Sequence, residues 1–119
     1  MRIELKGRNT TVQDGLRDHV EKRCRTIARQ VSELAVLEFV VSEPRNRASP
    51  GSHIAEATLY LKGVTLRARN ASPDVTRSIN LVCDELTRQV KRHREKLRRR
   101  REREAPVSRE LPGDVSPAV

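Results

Sequence analysis

The order of apolar and polar positions along the first half of the chain predicts two strands with a helix between them. Ile3 and Leu5 alternate with charged residues, which is the period of two of a half-buried strand. From about Thr11 to Ser32, apolar residues recur every three or four positions, as in an amphipathic helix. The run LAVLEFVV, residues 34–41, is apolar and rich in β-branched side chains, which favours a central strand.

The second half of the chain predicts a hairpin followed by a long helix. Residues 53–61 and 64–69 have strand patterns, and Lys62 and Gly63 between them are typical of a tight turn. Asp74 can then cap a second helix whose apolar positions share one stripe. The stripe consists of Val75, Ile79, Val82, Cys83, Leu86, Val90 and Leu97. The order βαβββα predicts a fold that contains both helices and strands, α/β in the broad sense and α+β in the strict one. It would be a two-layer sandwich with a four-stranded sheet and both helices on one face.

The length of 119 residues suits one domain and is short for two. We expect that domain to occupy residues 1–103. Residues 104–119, EAPVSRELPGDVSPAV, contain three prolines and no apolar periodicity, and they predict a disordered or linker-like tail. A loop, SEPRNRASPGS, is expected at residues 42–52.

Positive charge is concentrated near the end of the second predicted helix. Residues 88–103, RQVKRHREKLRRRRER, contain ten Lys or Arg and two Glu, so they carry +8 of the net charge of +9. A helix from Asp74 to Arg103 would be about 45 Å long, against about 35 Å for a domain of this size, so its basic end should project. Like charges spaced four residues apart destabilise a helix slightly. A segment that carries this cost is better explained by a polyanionic partner than by a helix end that is merely solvated.

The chemistry of the basic segment points to phosphate. Its cations form two rows beside the apolar stripe, and the arginine side chain offers a planar fork of donors that fits phosphate oxygens. One row holds Arg88, Arg92, Lys96, Arg99 and Arg103, and the other holds Lys91, Arg94, Arg98 and Arg101. Phe39 and Tyr60 are the only aromatic residues, so stacking on unpaired bases is not expected. An anionic membrane surface is the other polyanion that such charge could attract. Folded RNA recognised by shape and backbone is the favoured partner, and we predict no membrane partner.

Other classes of function find little support in the sequence. His19, His53 and His93 lack metal-ligand spacing, and the sequence contains neither a nucleophile motif nor a phosphate-binding glycine loop. We therefore predict that the protein is not an enzyme and that it binds no metal, cofactor or small-molecule substrate. Cys24 and Cys83 fall on apolar helical stripes and are expected to be reduced core residues. No signal peptide or membrane-spanning run is recognisable, so we expect a cytoplasmic protein.

The stretch DVTRSINLVCDELTRQVKRHREKL, residues 74–97, resembles the closing helix of the ribosome hibernation-promoting factors and ribosome-associated inhibitors, the sigma-factor modulation protein family. The matching positions are Leu86, Arg88, Gln89, Val90, Arg92, His93, Arg94 and Lys96. The opening MRIELKGRNTTVQDGLRDHVEK and the strand AEATLYL also resemble the family, in register from residue 1 to about 100. The resemblance implies the topology of a double-stranded-RNA-binding domain.

That resemblance also implies a function. Family members bind the small ribosomal subunit and its ribosomal RNA where messenger and transfer RNA would lie, and they inhibit translation in starvation or stationary phase. Their RNA contacts lie on both helices and carry over here to Arg88, Arg92, Arg94 and Lys96, and to Arg23 on the first helix. Charge geometry adds Lys91, Arg98 and Arg99 to the expected RNA-binding residues.

Two features separate this chain from the usual family pattern. Thr76 stands where the family usually has Tyr. Long members carry a second, C-terminal domain that dimerises and joins two ribosomes, and that domain is absent from this chain. The sequence leaves open whether the chain is a short-type protein or part of a long one. Two other functions also remain open, a modulator that binds an acidic protein and a general module for duplex RNA.

Overall fold

The computed structural model describes residues 1–43 and 52–110, with side chains as far as residue 102. Within these residues, four strands and three helices follow one another. They are β1 (Arg2–Arg8), α1 (Asp14–Arg23), α2 (Arg25–Ala28), β2 (Val36–Ser42), β3 (His53–Leu61), β4 (Val64–Ser72) and α3 (Val75–Glu110). The loop expected at residues 42–52 lies largely outside the described residues.

The strands form one mixed sheet in the order β1-β2-β3-β4. β1 pairs with β2 in parallel, and the other two pairings are antiparallel. Leu61 pairs directly with Val64, so Lys62 and Gly63 form the predicted two-residue turn. Gly63 adopts a φ of +81°, a conformation that a residue with a side chain rarely tolerates.

One face of the sheet packs against the helices and forms the core. Because side chains alternate along a strand, every second residue of each strand points into that face. The buried strand residues are Leu5, Leu37, Phe39, Val41, Ala55, Ala57, Leu59 and Ala68. They form a single cluster with the buried helix residues Val20, Cys24, Ile27, Ile79, Val82, Cys83, Leu86 and Val90. The predicted two-layer α+β fold is therefore confirmed.

The predicted first helix is divided and shorter than expected. Cys24, with ψ near 0°, separates α1 from α2, and α2 ends at Ala28 rather than near Ser32. After α2 the chain enters β2 at Val36, directly after Ala35, whose carbonyl accepts a hydrogen bond from the amide of Arg2 at 2.9 Å. The start expected from Thr11 also differs, since Gln13 is the N-cap and no side chain caps the helix.

The second predicted helix begins where expected and extends further. Asp74 caps α3, because its Oδ1 accepts a hydrogen bond from the amide of Thr76 at 3.0 Å. Ser78 is fully buried, and its hydroxyl donates to the carbonyl of His53 at 2.7 Å, which ties the first turn of α3 to β3. α3 continues to Glu110, past the end predicted at Arg103. Residues 111–119 lie outside the described part, so the linker-like tail stays a prediction.

Replacing Asp74 with alanine is expected to lower the free energy of unfolding by about 1 kcal/mol, because the capping hydrogen bond to Thr76 is lost. Asp74→Asn is the matched control, since it keeps the accepting oxygen and removes the charge. Urea unfolding followed by circular dichroism measures both. If the asparagine variant lost as much stability as the alanine variant, the charge of Asp74 rather than its hydrogen bond would be the stabilising feature.

Candidate nucleic-acid interface

The long helix α3 is a core helix in its first half and a projecting helix in its second half. Its apolar stripe is partly buried at Val75 and fully buried from Ile79 to Val90. Leu97, the last member of the stripe, is 38% exposed, and residues 98–102 are all exposed. With 36 residues, α3 is about 54 Å long at 1.5 Å per residue. The basic stretch therefore lies on the part of α3 that leaves the body of the domain.

The two predicted rows of cations face opposite sides of α3. The β4-side row consists of Arg88, Arg92, Lys96 and Arg99. Arg92 and Lys96 line a shallow groove between α3 and the outer strand β4, together with Val64 and Leu66. His93 is half-buried in the same groove.

The second row, the α2-side row, consists of Lys91, Arg94, Arg98 and Arg101. All four line a second shallow groove, in which Gln30, just after α2, forms the opposite wall. All four side chains are exposed. Among the residues that the structure describes, they make no ion pair. Glu95 lines the same groove without an ion pair to any of the four, so the row presents four cations and one carboxylate to solvent.

The β4-side row, in contrast, contains an ion-paired centre. The carboxylate of Glu85 accepts hydrogen bonds from Arg88, at 2.7 Å from Nη2 and 3.3 Å from Nε. Its second oxygen lies 3.9 Å from Nη2 of Arg92 and accepts a hydrogen bond from Gln89 at 3.1 Å. The hydrogen bond from Arg88, followed by that from Gln89, holds the pKa of Glu85 below its usual range.

Arg23, the site residue predicted on the first helix, lies at the base of the α2-side row. Its guanidinium forms an ion pair with Asp84 at 2.7 Å, and it reaches the carbonyl of Asn80 at 3.5 Å. Asp84 precedes Lys91 by two helical turns, or about 10 Å along the axis. Arg23 thus joins α1 to α3, whereas the seven predicted residues of α3 lie together on the rows.

The opposite face of the sheet has a different charge pattern. Its cations are largely paired with neighbouring carboxylates, as in Arg2 with Glu4 at 2.6 Å and Lys6 with Glu38 at 3.3 Å. Arg69 lies 4.0 Å from Glu56 on the same face. Of the surfaces that the structure describes, α3 therefore carries the concentrated positive charge.

The two cysteines belong to the core. Cys24 and Cys83 are both buried and free, with their sulfur atoms 3.8 Å apart, which confirms the prediction of reduced core residues. The hydrogen bond with Cys83, together with burial, raises the pKa of Cys24 far above its usual range. Both thiols are shielded from solvent by burial.

No group of three or more His, Cys, Asp or Glu could hold a metal ion within residues 1–43 and 52–110. No helix in these same ranges is long and apolar enough to cross a bilayer.

Comparison with known proteins identifies the family. The sequence profile of the Sigma 54 modulation protein / S30EA ribosomal protein family matches residues 3–98. The chain belongs to this family. The family is one of non-enzymatic ribosome-binding proteins, in agreement with the prediction that the chain is not an enzyme. The S30EA match also confirms the resemblance seen in the closing helix and the opening strand.

The names of several curated relatives refer to ribosome hibernation. The chain is 29% identical over 81% of its length to the "Ribosome hibernation promotion factor" of Picosynechococcus and 30% identical over 84% to that of Staphylococcus aureus. It spans about half the length of these two relatives, 50% and 52%. It is also 26% identical over 94% of its length to the "Ribosome hibernation promoting factor" of Azotobacter vinelandii, all of which it covers.

Solved structures support the same fold. The N-terminal domain of Protein Y from Thermus thermophilus superposes with a TM-score of 0.68 at 30% identity, over 78% of this chain and 99% of that one. A ribosomal subunit interface protein from Coxiella burnetii matches with a TM-score of 0.65. At 18% identity, over 80% of this chain and 99% of the other, this second match bears on the fold alone.

Sequence reasoning missed the polar links that fix the basic rows to the domain. Gln89 donates to the carbonyl of Arg67 in β4 at 2.8 Å and thereby connects Glu85 to the sheet. The spacing of Glu85 from Arg88 and Gln89, three and four residues, is a recognised signal for side-chain contact on a helix. The sequence therefore contains this signal, but the high positive charge of residues 88–103 draws attention away from the single carboxylate of Glu85.

Proposed function

We propose that the chain is a cytoplasmic ribosome hibernation factor that binds the small ribosomal subunit through the basic face of α3. In that position it occupies the path of messenger and transfer RNA and inhibits translation in starvation or stationary phase. Membership of the S30EA family and the names of its relatives support a ribosomal partner. The observation that carries the choice of surface is the pair of cation rows on the projecting half of α3.

Phosphate groups of ribosomal RNA are the expected contacts of these rows. The exposed α2-side row provides four cations without competing carboxylate partners among the described residues. Guanidinium groups bind phosphate oxygens in a planar, often bidentate geometry. Because the cations are spaced by three or four residues, they follow the helix axis for about three turns and can contact successive phosphates.

Base stacking contributes little to the proposed recognition. Phe39 is fully buried in the core, and Tyr60 lies on the face of the sheet opposite to the helices. No described aromatic side chain is therefore available beside the cation rows. Recognition consequently depends on the shape and backbone of folded RNA, which suits a binding site in an assembled ribosomal subunit.

Arg23 has a supporting part in this proposal. Its guanidinium is engaged by Asp84, and its side chain is 39% exposed. An arginine held by a carboxylate in this way can still offer its remaining N–H groups to a phosphate. We therefore place Arg23 at the edge of the contact and Arg88, Lys91, Arg92, Arg94, Lys96, Arg98 and Arg99 at its centre.

Sedimentation with purified ribosomal subunits tests the proposal. The protein is expected to pellet with the small subunit at low salt, to dissociate as salt rises, and to inhibit protein synthesis in a purified translation system. A folded sample that failed to pellet with small subunits at low salt would contradict it. Equal affinity for free RNA duplex would indicate a general duplex-RNA module, and association that survives ribonuclease would indicate an acidic protein partner.

A further inference from the structure

Glu85 is a carboxylate placed within a surface that otherwise attracts anions. Its side chain is 37% exposed and engages two of the four cations of the β4-side row, Arg88 and Arg92. A negative charge in this position weakens the attraction of the row for any polyanion. Its presence therefore requires an explanation other than affinity.

The contacts of Glu85 fix the positions of the arginines relative to the sheet. Nε and Nη2 of Arg88 both approach the same oxygen, so one edge of this guanidinium is occupied and the other remains open. Gln89 donates both to Glu85 at 3.1 Å and to the carbonyl of Arg67 at 2.8 Å. The carboxylate is thus connected to the backbone of β4, and the arginines that it holds are oriented by the body of the domain.

We propose that Glu85 determines the RNA specificity of the β4-side row by positioning Arg88 and Arg92 and by withholding part of their charge from RNA that does not match the row. This inference rests on the proposed function and deepens it. RNA whose phosphates meet the open edges of both guanidinium groups gains from their fixed geometry, because less side-chain freedom is lost on binding. RNA of another shape encounters a row whose charge is partly neutralised.

The pKa of Glu85 supports the inference. Because the hydrogen bond from Arg88 holds that pKa below its usual range, the carboxylate remains charged at neutral pH and can exert this effect in the cell.

Glu85→Gln distinguishes the effect of the carboxylate's charge from its effect on the positions of Arg88 and Arg92. Removing one negative charge and releasing two arginines should strengthen binding to a generic RNA duplex of about 20 base pairs and raise its salt slope by about one. Binding to purified small subunits should gain less, because the arginines are no longer positioned. We expect the ratio of the two affinities to fall by about two- to fivefold, the range for a partly exposed ion pair.

Glu95→Gln is the matched control. It makes the same change of charge and residue type on α3, and Glu95, which lines the groove of the α2-side row, has no ion pair with any described residue. This variant should strengthen binding to duplex and to small subunits by similar factors, so the affinity ratio should stay close to that of the unmodified protein. Circular dichroism verifies that each variant is folded.

A second variant, Gln89→Ala, tests positioning without any change of charge. It removes the link from Glu85 to β4, so the affinity ratio should fall while the salt slope for generic duplex stays unchanged. If Glu85→Gln and Glu95→Gln changed the ratio equally, or if neither Glu85→Gln nor Gln89→Ala changed it, the inference would be wrong. Failure of the unmodified protein to bind small subunits would instead contradict the proposed function, and the inference with it.

Discussion

Replacing Lys91, Arg94 and Arg98 with glutamine is expected to reduce the salt dependence of ribosome binding by about two to three units of log affinity per log salt. Each cation that neutralises a phosphate releases counterions and contributes roughly 0.7 to 0.9 to that slope. These three residues belong to the α2-side row, are exposed, and have no carboxylate partner among the described residues. Their replacement therefore tests the phosphate contacts without leaving a carboxylate that has lost its ion-pair partner.

The measurement is a series of binding curves with purified small subunits at four or more salt concentrations. Replacing Arg2, Lys6 and Arg8 with glutamine is the control for net charge, since it also removes three positive charges, two of which are ion-paired with Glu4 and Glu38. All three are exposed on the outward face of β1, the edge strand farthest from β4 in the sheet. If both triple variants lowered the slope equally, only the net charge of the protein would matter, and the assignment of the interface to α3 would fail.

Stability should not fall in the variant of the α2-side row. Glutamine has nearly the helix propensity of arginine and lysine, so the helix loses little from the exchange. Repulsion between cations four residues apart is relieved as well, which favours the helix slightly. Unchanged or slightly raised thermal stability, measured together with a reduced salt slope, would show that these residues serve the partner rather than the fold.

Much of the fold could be predicted because local patterns and the core agree. The period of two in β1 and β3 and the apolar stripe of α3 are consequences of burying one face, so the pattern reveals which face it is. The hairpin at Lys62 and Gly63 could be predicted from two residues, since a tight turn of this kind needs a glycine conformation.

Other features depend on contacts that no local pattern contains. The separation of α1 from α2 occurs at Cys24, an ordinary apolar position of the helical pattern, so the pattern gives no sign of it. The partner of Arg23 is Asp84, which is distant in sequence and could not be inferred from charge alone. The sequence therefore predicts which cations lie on α3, whereas their pairing with Glu85 required the structure.

Leu86→Ala is expected to lower the free energy of unfolding by about 2 to 5 kcal/mol. Leu86 is fully buried in the stripe of α3 that packs on the sheet, so its truncation removes apolar contacts and leaves a cavity. The change to alanine does not harm the helix itself, since alanine has the highest helix propensity. The loss therefore reports packing between α3 and the sheet.

Two further leucines make this a graded test. Leu97 on α3 is 38% exposed and Leu34 is 86% exposed, whereas Leu86 is not exposed at all. Because the cost of truncation depends on the apolar area already buried, the loss of stability should decrease from Leu86 to Leu97 to Leu34, with Leu34→Ala within about 0.5 kcal/mol of the unmodified protein. Urea unfolding of the three variants gives this order directly.

The same variants separate the core from the interface. The folded fraction of Leu86→Ala should bind small subunits with the salt slope of the unmodified protein, because every cation of both rows is still present. A reduced slope in that variant would mean that packing beneath α3 controls where the cations lie. Equal losses of stability for Leu86→Ala and Leu34→Ala would contradict the burial of the α3 stripe, and with it the argument that the second half of this helix projects from an anchored first half.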